Sequence, residues 1–244
     1  MDESLSTTRR KALAAWLVHA FTASGVVIAL LALLAVERGE FRLALLWLML
    51  GLAIDAVDGS LARWARVKER APRIDGDTLD LIIDYLTYVF VPTLLIVRTG
   101  VLPERLALFL AALILVSALY NFTRRDLKTA DNYFRGVPAN WNVIAYYFFV
   151  AEPGPAVAVT TILVLAAATF APIHFVHPFR VRDYGRWLPI LALAWAVATA
   201  TLLWPDWDPP VWRALLLLSL VSAAILVGMG LWRTYRGPRT SPAY

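Results

Sequence analysis

Six aspartates, among the chain's 18 acidic residues, fall in the 30 positions from Asp55 to Asp84: Asp55, Asp58, Asp75, Asp77, Asp80 and Asp84. Asp55 and Asp58 follow the apolar run 43–54, while Asp80 and Asp84 precede the apolar run 85–97. Residues three or four apart share a helix face. The spacing therefore predicts two carboxylate pairs on adjacent helices, pointing into one gap at one depth. Ionisable groups at apolar helix ends are expensive to place and mark functional sites. Packed like charges repel, so cations belong among them. The chain has no cysteine and no histidine beside the cluster. Oxygen-only ligation favours a hard ion, Mg²⁺ or Mn²⁺, and such a cluster can take two. Hard divalent cations beside carboxylates and an arginine suit phosphoryl-group chemistry. Gly59 and Gly76 fit the same picture, because glycine lets backbone come close to a bulky ligand. A plainer reading pairs the acids with Arg63, Arg66, Lys68, Arg70 and Arg73. It accounts for Asp75, but not for four acids set inside apolar helix ends.

The elements that must hold these groups are membrane spans. The chain is 60% hydrophobic and 17% charged, with mean hydropathy +0.64, against about half and about a quarter in soluble domains. That composition excludes a disordered chain, and the lack of cysteine excludes a disulfide scaffold, a zinc–thiolate site and a cysteine nucleophile. Apolar stretches at 16–36, 43–62, 79–98, 104–121, 138–151, 155–174, 187–204 and 211–232 predict an all-α polytopic bundle of about eight transmembrane helices. The fifth is short, and Pro153-Gly154-Pro155 separates it from the sixth. Residues 8–19 predict a short basic amphipathic helix on the inner surface, so that 1–15 is a cytoplasmic lead-in. The first apolar run is too long for a cleavable signal. Positions 1–244 then read as a single membrane domain, because no loop is long enough to fold alone. Net charge +5 and pI near 9.7 are compatible with nucleic acid, yet 18 of the 23 basic residues sit at one set of span ends. The positive-inside rule places that set, both termini and the acid cluster in the cytoplasm, which leaves no nucleic-acid partner.

The order Asp55-x2-Asp58-Gly59-x2-Ala62-Arg63, followed by Gly76-x3-Asp80-x3-Asp84, resembles the signature of the CDP-alcohol phosphotransferases. Twelve residues, 64–75, separate Arg63 from Gly76, more than the family's common spacing. This gap and the eight-span layout are similar to the phosphatidylcholine synthase branch of that family. The block Lys128-Thr129-Ala130-Asp131-Asn132-Tyr133-Phe134-Arg135-Gly136, then Pro138 and Asn140-Trp141-Asn142, resembles it too, as does Phe175-Val176-His177-Pro178-Phe179-Arg180. The resemblance implies an enzyme of the bacterial inner membrane, a homodimer, that moves a phosphatidyl group from CDP-diacylglycerol to choline and releases CMP. It implies two divalent ions, Mn²⁺ or Mg²⁺, on Asp55, Asp58, Asp80 and Asp84. The cytidine diphosphate would lie on Asp58, Gly59, Ala62, Arg63 and Gly76. Asp84 would serve as base for the acceptor hydroxyl, with Asp80 beside it.

Choline is a permanent cation whose head offers no hydrogen-bond donor, so aromatic faces and carboxylates must bind it. Tyr85, Tyr88, Trp141, Tyr146 and Tyr147 are the candidate faces, although aromatics in spans otherwise pack or form interfacial belts. Asn140 and Asn142 are expected to line a polar cavity, since amides facing lipid go unsatisfied. His177-Pro178 is expected to cap a helix or shape an inner loop, and His19 to pack or bond locally. Arg124-Arg125 and Arg180, Arg182 and Arg186 anchor the inner face or draw in anionic lipid. Serine, inositol or glycerol phosphate is the rival acceptor within the family, and an anionic one would want a basic pocket. A cation transporter is the rival from another class. It would spread acids through the midplane in paired halves, whereas here they crowd one end and the second half has no matching set.

Overall fold

The computed structural model describes residues 2–204 and 206–238, with side chains from Arg10 onward. The protein is a membrane-embedded all-α chain. Among the described residues, five helical stretches are long and apolar enough to cross a bilayer: Arg10–Glu37, Phe41–Ala65, Gly76–Arg98, Glu104–Thr123 and Pro209–Arg236. Three shorter apolar helices, Trp141–Ala151, Pro155–Ala168 and Trp187–Leu202, accompany them. The chain packs as two units: residues up to Ala111 with Asn140–Pro153, and Ala112–Ala139 with Gly154 onward.

The first unit opens with α1 (Asp2–Glu37), α2 (Phe41–Ala65) and the short α3 (Val67–Arg70). The basic lead-in is not a separate surface helix, because α1 runs unbroken through it into the first span. The run Lys11-Ala12-Leu13-Ala14-Ala15 consists of strong helix formers and offers no break. Ala15 and Val18 pack instead on Ala65, Val67 and Ala71 of the α2–α3 corner. α1 and α2 lie along each other, with Ala29, Ala32, Ala35 and Ala44 buried; small side chains let membrane helices approach closely. Gly39, at φ 74°, ends α1: the Glu40 N–H reaches Ala35 O at 2.9 Å and the Gly39 N–H reaches Val36 O at 3.0 Å, the bonding pattern of a left-handed helix stop.

The third span is compound. α4 (Gly76–Asp84) passes into a π-helical turn, Tyr85–Phe90, and then α5 (Val91–Arg98). Pro92 follows that turn; it has no N–H to donate, and its ring crowds the carbonyl four residues back, which accounts for the widened turn. α6 (Glu104–Thr123) leads out of the unit, and α7 (Trp141–Ala151) returns to pack on α2, the π turn and α5. With 11 residues, α7 rises only ~16 Å.

In the second unit, α8 covers Pro155–Ala168, α9 Trp187–Leu202 and α10 Pro209–Arg236. α8 stops before position 174, the expected end of its span, because Pro172 disfavours helix in the residue before it. The chain then makes a strand, β2 (His174–Phe175), which pairs antiparallel with β1 (Phe134–Arg135). This two-stranded ribbon is a departure from the all-helical expectation. Its core holds Tyr133, Val176, Val181 and Leu188, flanked by Tyr184, Leu226 and Met229. Gly136, at φ 78°, passes so close to the Thr169 carbonyl that a Cβ would stand 2.2 Å from its oxygen. Thr199 and Ser219 join α9 to α10 by a hydroxyl–hydroxyl bond of 3.0 Å.

His177 shapes the ribbon, as expected, rather than capping α8. Its ring stacks on Phe134 at 5.5 Å, and its Nδ1 accepts from the Phe179 N–H at 3.3 Å. Burial, then Arg180 and Lys128, push its pKa down to about 4. The unfolded chain therefore takes up the proton first, near the ordinary pH ~6.5, and stability is lost as pH falls from there toward 4. Unfolding in detergent at pH 7 and pH 5 should show this loss in the wild type and less of it in His177→Gln.

Candidate active site

On α2, Asp55, Asp58, Gly59, Ala62 and Arg63 recur at intervals of three and four, which makes them one stripe of the helix. Gly76, Asp80 and Asp84 form a matching stripe on α4, and Tyr88 continues it one turn further. α1 supports both helices. A Cβ on Gly25 would stand 2.6 Å from Ile83 Cγ2, so only glycine lets α1 pass against α4 there.

Asp55, Asp80 and Asp84 each offer a carboxylate oxygen within 4.8 Å of the others, and all three residues are half-buried. Oxygens around a hard divalent cation sit ~2.0–2.6 Å from it, hence at most ~5 Å apart. The spread of this trio falls inside that limit, and its donor set is oxygen alone. The residues fit a divalent ion. Asp58 is not gathered with them. It is 6% exposed and accepts a 2.9 Å bond from Thr22 Oγ1 on α1.

Residues 64–75 take the chain from the end of α2 to α4 through a tight turn and a short helix. Arg66 turns the chain at φ 50°, ψ 52°, and α3 follows. Asp75 is the N-cap of α4: its Oδ1 accepts from the backbone N–H of Asp77 at 3.1 Å and of Thr78 at 3.2 Å, and Thr78 Oγ1 donates to Oδ2 at 2.9 Å. Its carboxyl is held below the ordinary range by the Thr78 hydroxyl first, then the Thr78 N–H. Asp77 pairs with Lys68 at 2.6 Å on the open surface, a contact of small energetic weight. The plain reading thus holds for Asp77, which pairs with Lys68, but not for Asp75, which caps the start of α4 instead of pairing with an arginine.

Arg63 is exposed and donates one bond to Ser60 Oγ at 3.0 Å; its other guanidinium N–H groups leave the fork available to an anion. His19 packs locally, as expected. Its Nε2 lies 3.4 Å from the Ala71 carbonyl oxygen, and a Cβ on Gly76 would meet its ring at 3.2 Å. Gly76 is therefore the residue that lets α4 begin directly under that ring.

The aromatic candidates divide. The Tyr88 hydroxyl donates to Asp55 Oδ2 at 2.5 Å. Trp141, Asn142 and Tyr146 are buried in the first unit, Tyr85 is half-buried, and Asn140 is exposed at the start of α7. Asn142 Oδ1 accepts from the Val143 N–H at 2.9 Å. Tyr146 meets Tyr147 edge-on at 5.2 Å. Thr22, the partner of Asp58, was missed from sequence. A lone threonine in an apolar span carries no signal that a carboxylate 36 residues away will reach it.

Comparison with known proteins places this geometry. The family model for CDP-alcohol phosphatidyltransferase matches residues 12–232. A phosphatidylcholine synthase of Pseudomonas aeruginosa is 45% identical over 236 residues, covering 97% of this chain and 98% of the relative. Phosphatidylcholine synthases of Bradyrhizobium diazoefficiens (42% identical, 80% of this chain and 73% of the relative) and Rhizobium johnstonii (36%, 88% and 88%) are similar as well. With the Asp55–Asp84 carboxylates on facing helices and the family match running nearly end to end, the chain belongs to the CDP-alcohol phosphatidyltransferase family.

Proposed function

We propose that this protein transfers the phosphatidyl group of CDP-diacylglycerol to choline and releases CMP. The observation that carries the reading is the carboxylate trio Asp55, Asp80 and Asp84 at one end of the α2–α4 pair, in a chain similar over nearly its whole length to a phosphatidylcholine synthase. Mg²⁺ or Mn²⁺, as one or two ions on these carboxylates with Asp58 adjoining, would neutralise the diphosphate, so that CMP leaves without a strong acid. Arg63 extends its fork toward phosphate oxygens. The cytidine diphosphate would lie along Gly59, Ala62 and Gly76. Asp84 takes the proton of the choline hydroxyl as that oxygen bonds to the phosphatidyl phosphorus and the bond to the CMP oxygen breaks.

Choline recognition falls to aromatic faces near Asp84. The ammonium lies two carbons from the attacking oxygen, which must come within ~3–3.5 Å of phosphorus. Tyr85, which follows Asp84, and Trp141 and Tyr146 of α7, the helix packed on the π turn, are the faces assigned to that task. Asn140 and Asn142 flank Trp141 and would supply polar groups beside that face. Topologically, the five long and three shorter apolar helices are read as eight crossings of the inner membrane, with termini and site cytoplasmic, in a homodimer.

The test is an acceptor panel. Membranes bearing the protein receive CDP-diacylglycerol, Mn²⁺ and labelled choline, serine, inositol or glycerol phosphate. Choline is expected to enter lipid with stoichiometric CMP, and Trp141→Ala to raise the choline KM by about 2- to 30-fold (~0.5–2 kcal/mol) without a matching rise for CDP-diacylglycerol. Preference for another alcohol would refute choline and leave phosphatidyl transfer in place.

A further inference from the structure

The first two acids of the cluster are each held by a hydroxyl from a different helix. Tyr88, on the π turn, donates to Asp55 Oδ2 at 2.5 Å and is itself 8% exposed. Thr22, on α1, donates to Asp58 Oδ2 at 2.9 Å, with Thr22 at 8% and Asp58 at 6% exposure. We propose that Tyr88 and Thr22 are positioning residues of the metal site, each aiming one carboxylate of the Asp55 and Asp58 pair through a single hydroxyl bond. The proposal rests on the metal-site reading given above.

The physical need is specific. The terminal torsion of an aspartate is broad and soft, so nothing within Asp55 itself fixes where its oxygens point. Asp80 and Asp84 bring like charge within 4.8 Å, and that repulsion turns an unrestrained carboxylate outward. A phenol hydroxyl occupies one of the carboxylate's roughly four lone-pair sites and leaves the others for a cation. Groups of this kind behind metal ligands typically change affinity by about 10- to 100-fold when removed. The same bond explains why Tyr88 is a poorer choline candidate than its position after Asp84 indicates: its polar end is directed at the carboxylate.

Tyr88→Phe separates the hydroxyl from the ring face, since phenylalanine keeps the face that a choline contact would use. The full chain, in nanodiscs without lipid substrate or choline, is titrated with Mn²⁺, and free Mn²⁺ is read by electron paramagnetic resonance. Tyr88→Phe is expected to bind Mn²⁺ about 10- to 100-fold more weakly than wild type. Thr22→Val is expected to move the same way, Thr22→Ser to restore wild-type affinity, and the choline KM of Tyr88→Phe at saturating Mn²⁺ to stay unchanged. Wild-type Mn²⁺ affinity in Tyr88→Phe and Thr22→Val overturns the positioning role and leaves the metal site standing. A raised choline KM in Tyr88→Phe with unchanged Mn²⁺ affinity overturns it in favour of substrate contact. Failure of Thr22→Ser to recover affinity points to packing alone and also overturns it. A wild-type protein that binds no Mn²⁺ and keeps its activity in chelator removes the metal-site reading itself.

Discussion

Asp84→Asn is expected to lower kcat by about 10³-fold, within the 10²–10⁴ range that loss of a positioned general base produces. The substitution keeps shape and removes one charge, so α4 and its packing should survive. Asp84 shares a space of 4.8 Å with Asp55 and Asp80, and in the absence of a cation the three repel one another. Removing one charge relieves that repulsion. The variant should therefore melt at or above the wild-type temperature when metal is chelated. With Mn²⁺ present the order should reverse, since binding to the folded state stabilises the wild type by mass action and the variant has lost a ligand. Two readouts check this: labelled choline entering lipid, and the shift in melting temperature on adding Mn²⁺. Activity within tenfold of wild type, or an undiminished Mn²⁺ shift, would remove Asp84 from the site.

The long spans were legible because a run of about 20 apolar residues suits a bilayer crossing and little else. The carboxylate stripes were legible because three- and four-residue spacing is a helix property. What escaped depended on distance between elements rather than on local pattern. Asp58 shares its stripe with Asp55, yet its carboxylate is held by Thr22 on α1, and nothing near position 22 signals that bond. The π turn at Tyr85–Phe90 hangs on how the chain accommodates Pro92 inside a span, where a proline also permits a plain kink. Strands of two residues, such as Phe134–Arg135 and His174–Phe175, are too short to show a period. The lead-in was read as a surface helix from its charge, whereas Ala15 and Val18 give it a packing partner at Val67 and Ala71, a contact that no one-dimensional pattern contains.

Loss of Arg233 should cost the second unit about 3 kcal/mol, the lower end of what breaking a buried ion pair costs. Arg233 sits in the last turns of α10 with its side chain 8% exposed, and its Nε donates to Asp131 Oδ2 at 2.8 Å. Its guanidinium also lies 5.4 Å from the centre of the Tyr133 ring. Tyr133 is wholly buried and donates its hydroxyl to Asp183 at 2.9 Å. One arginine thus ties α10 to the residue 131–133 segment through a charge-assisted bond and a cation–π contact. Arg233→Met fills much of the same volume but leaves Asp131 without its main partner. Asp131 is 30% exposed, so water relieves part of the penalty, which sets the estimate at the low end. Arg233→Lys keeps the charge without the planar fork and should fall between. The double variant Arg233→Met with Asp131→Leu should recover a good part of the loss, because replacing both members of a buried pair by apolar groups removes the orphaned charge. The pair also carries a pH signature. Burial works against ionising Asp131, but Arg233 and the Thr129 hydroxyl outweigh it and hold the carboxyl below its ordinary value. The stabilisation is therefore present above about pH 4 and fades as pH falls below it. Denaturant unfolding in micelles checks the series. A loss under ~1 kcal/mol in Arg233→Met, or no recovery in the double variant, would mean that the apolar core around Tyr133 and Leu188, and not the ion pair, holds α10 to the ribbon.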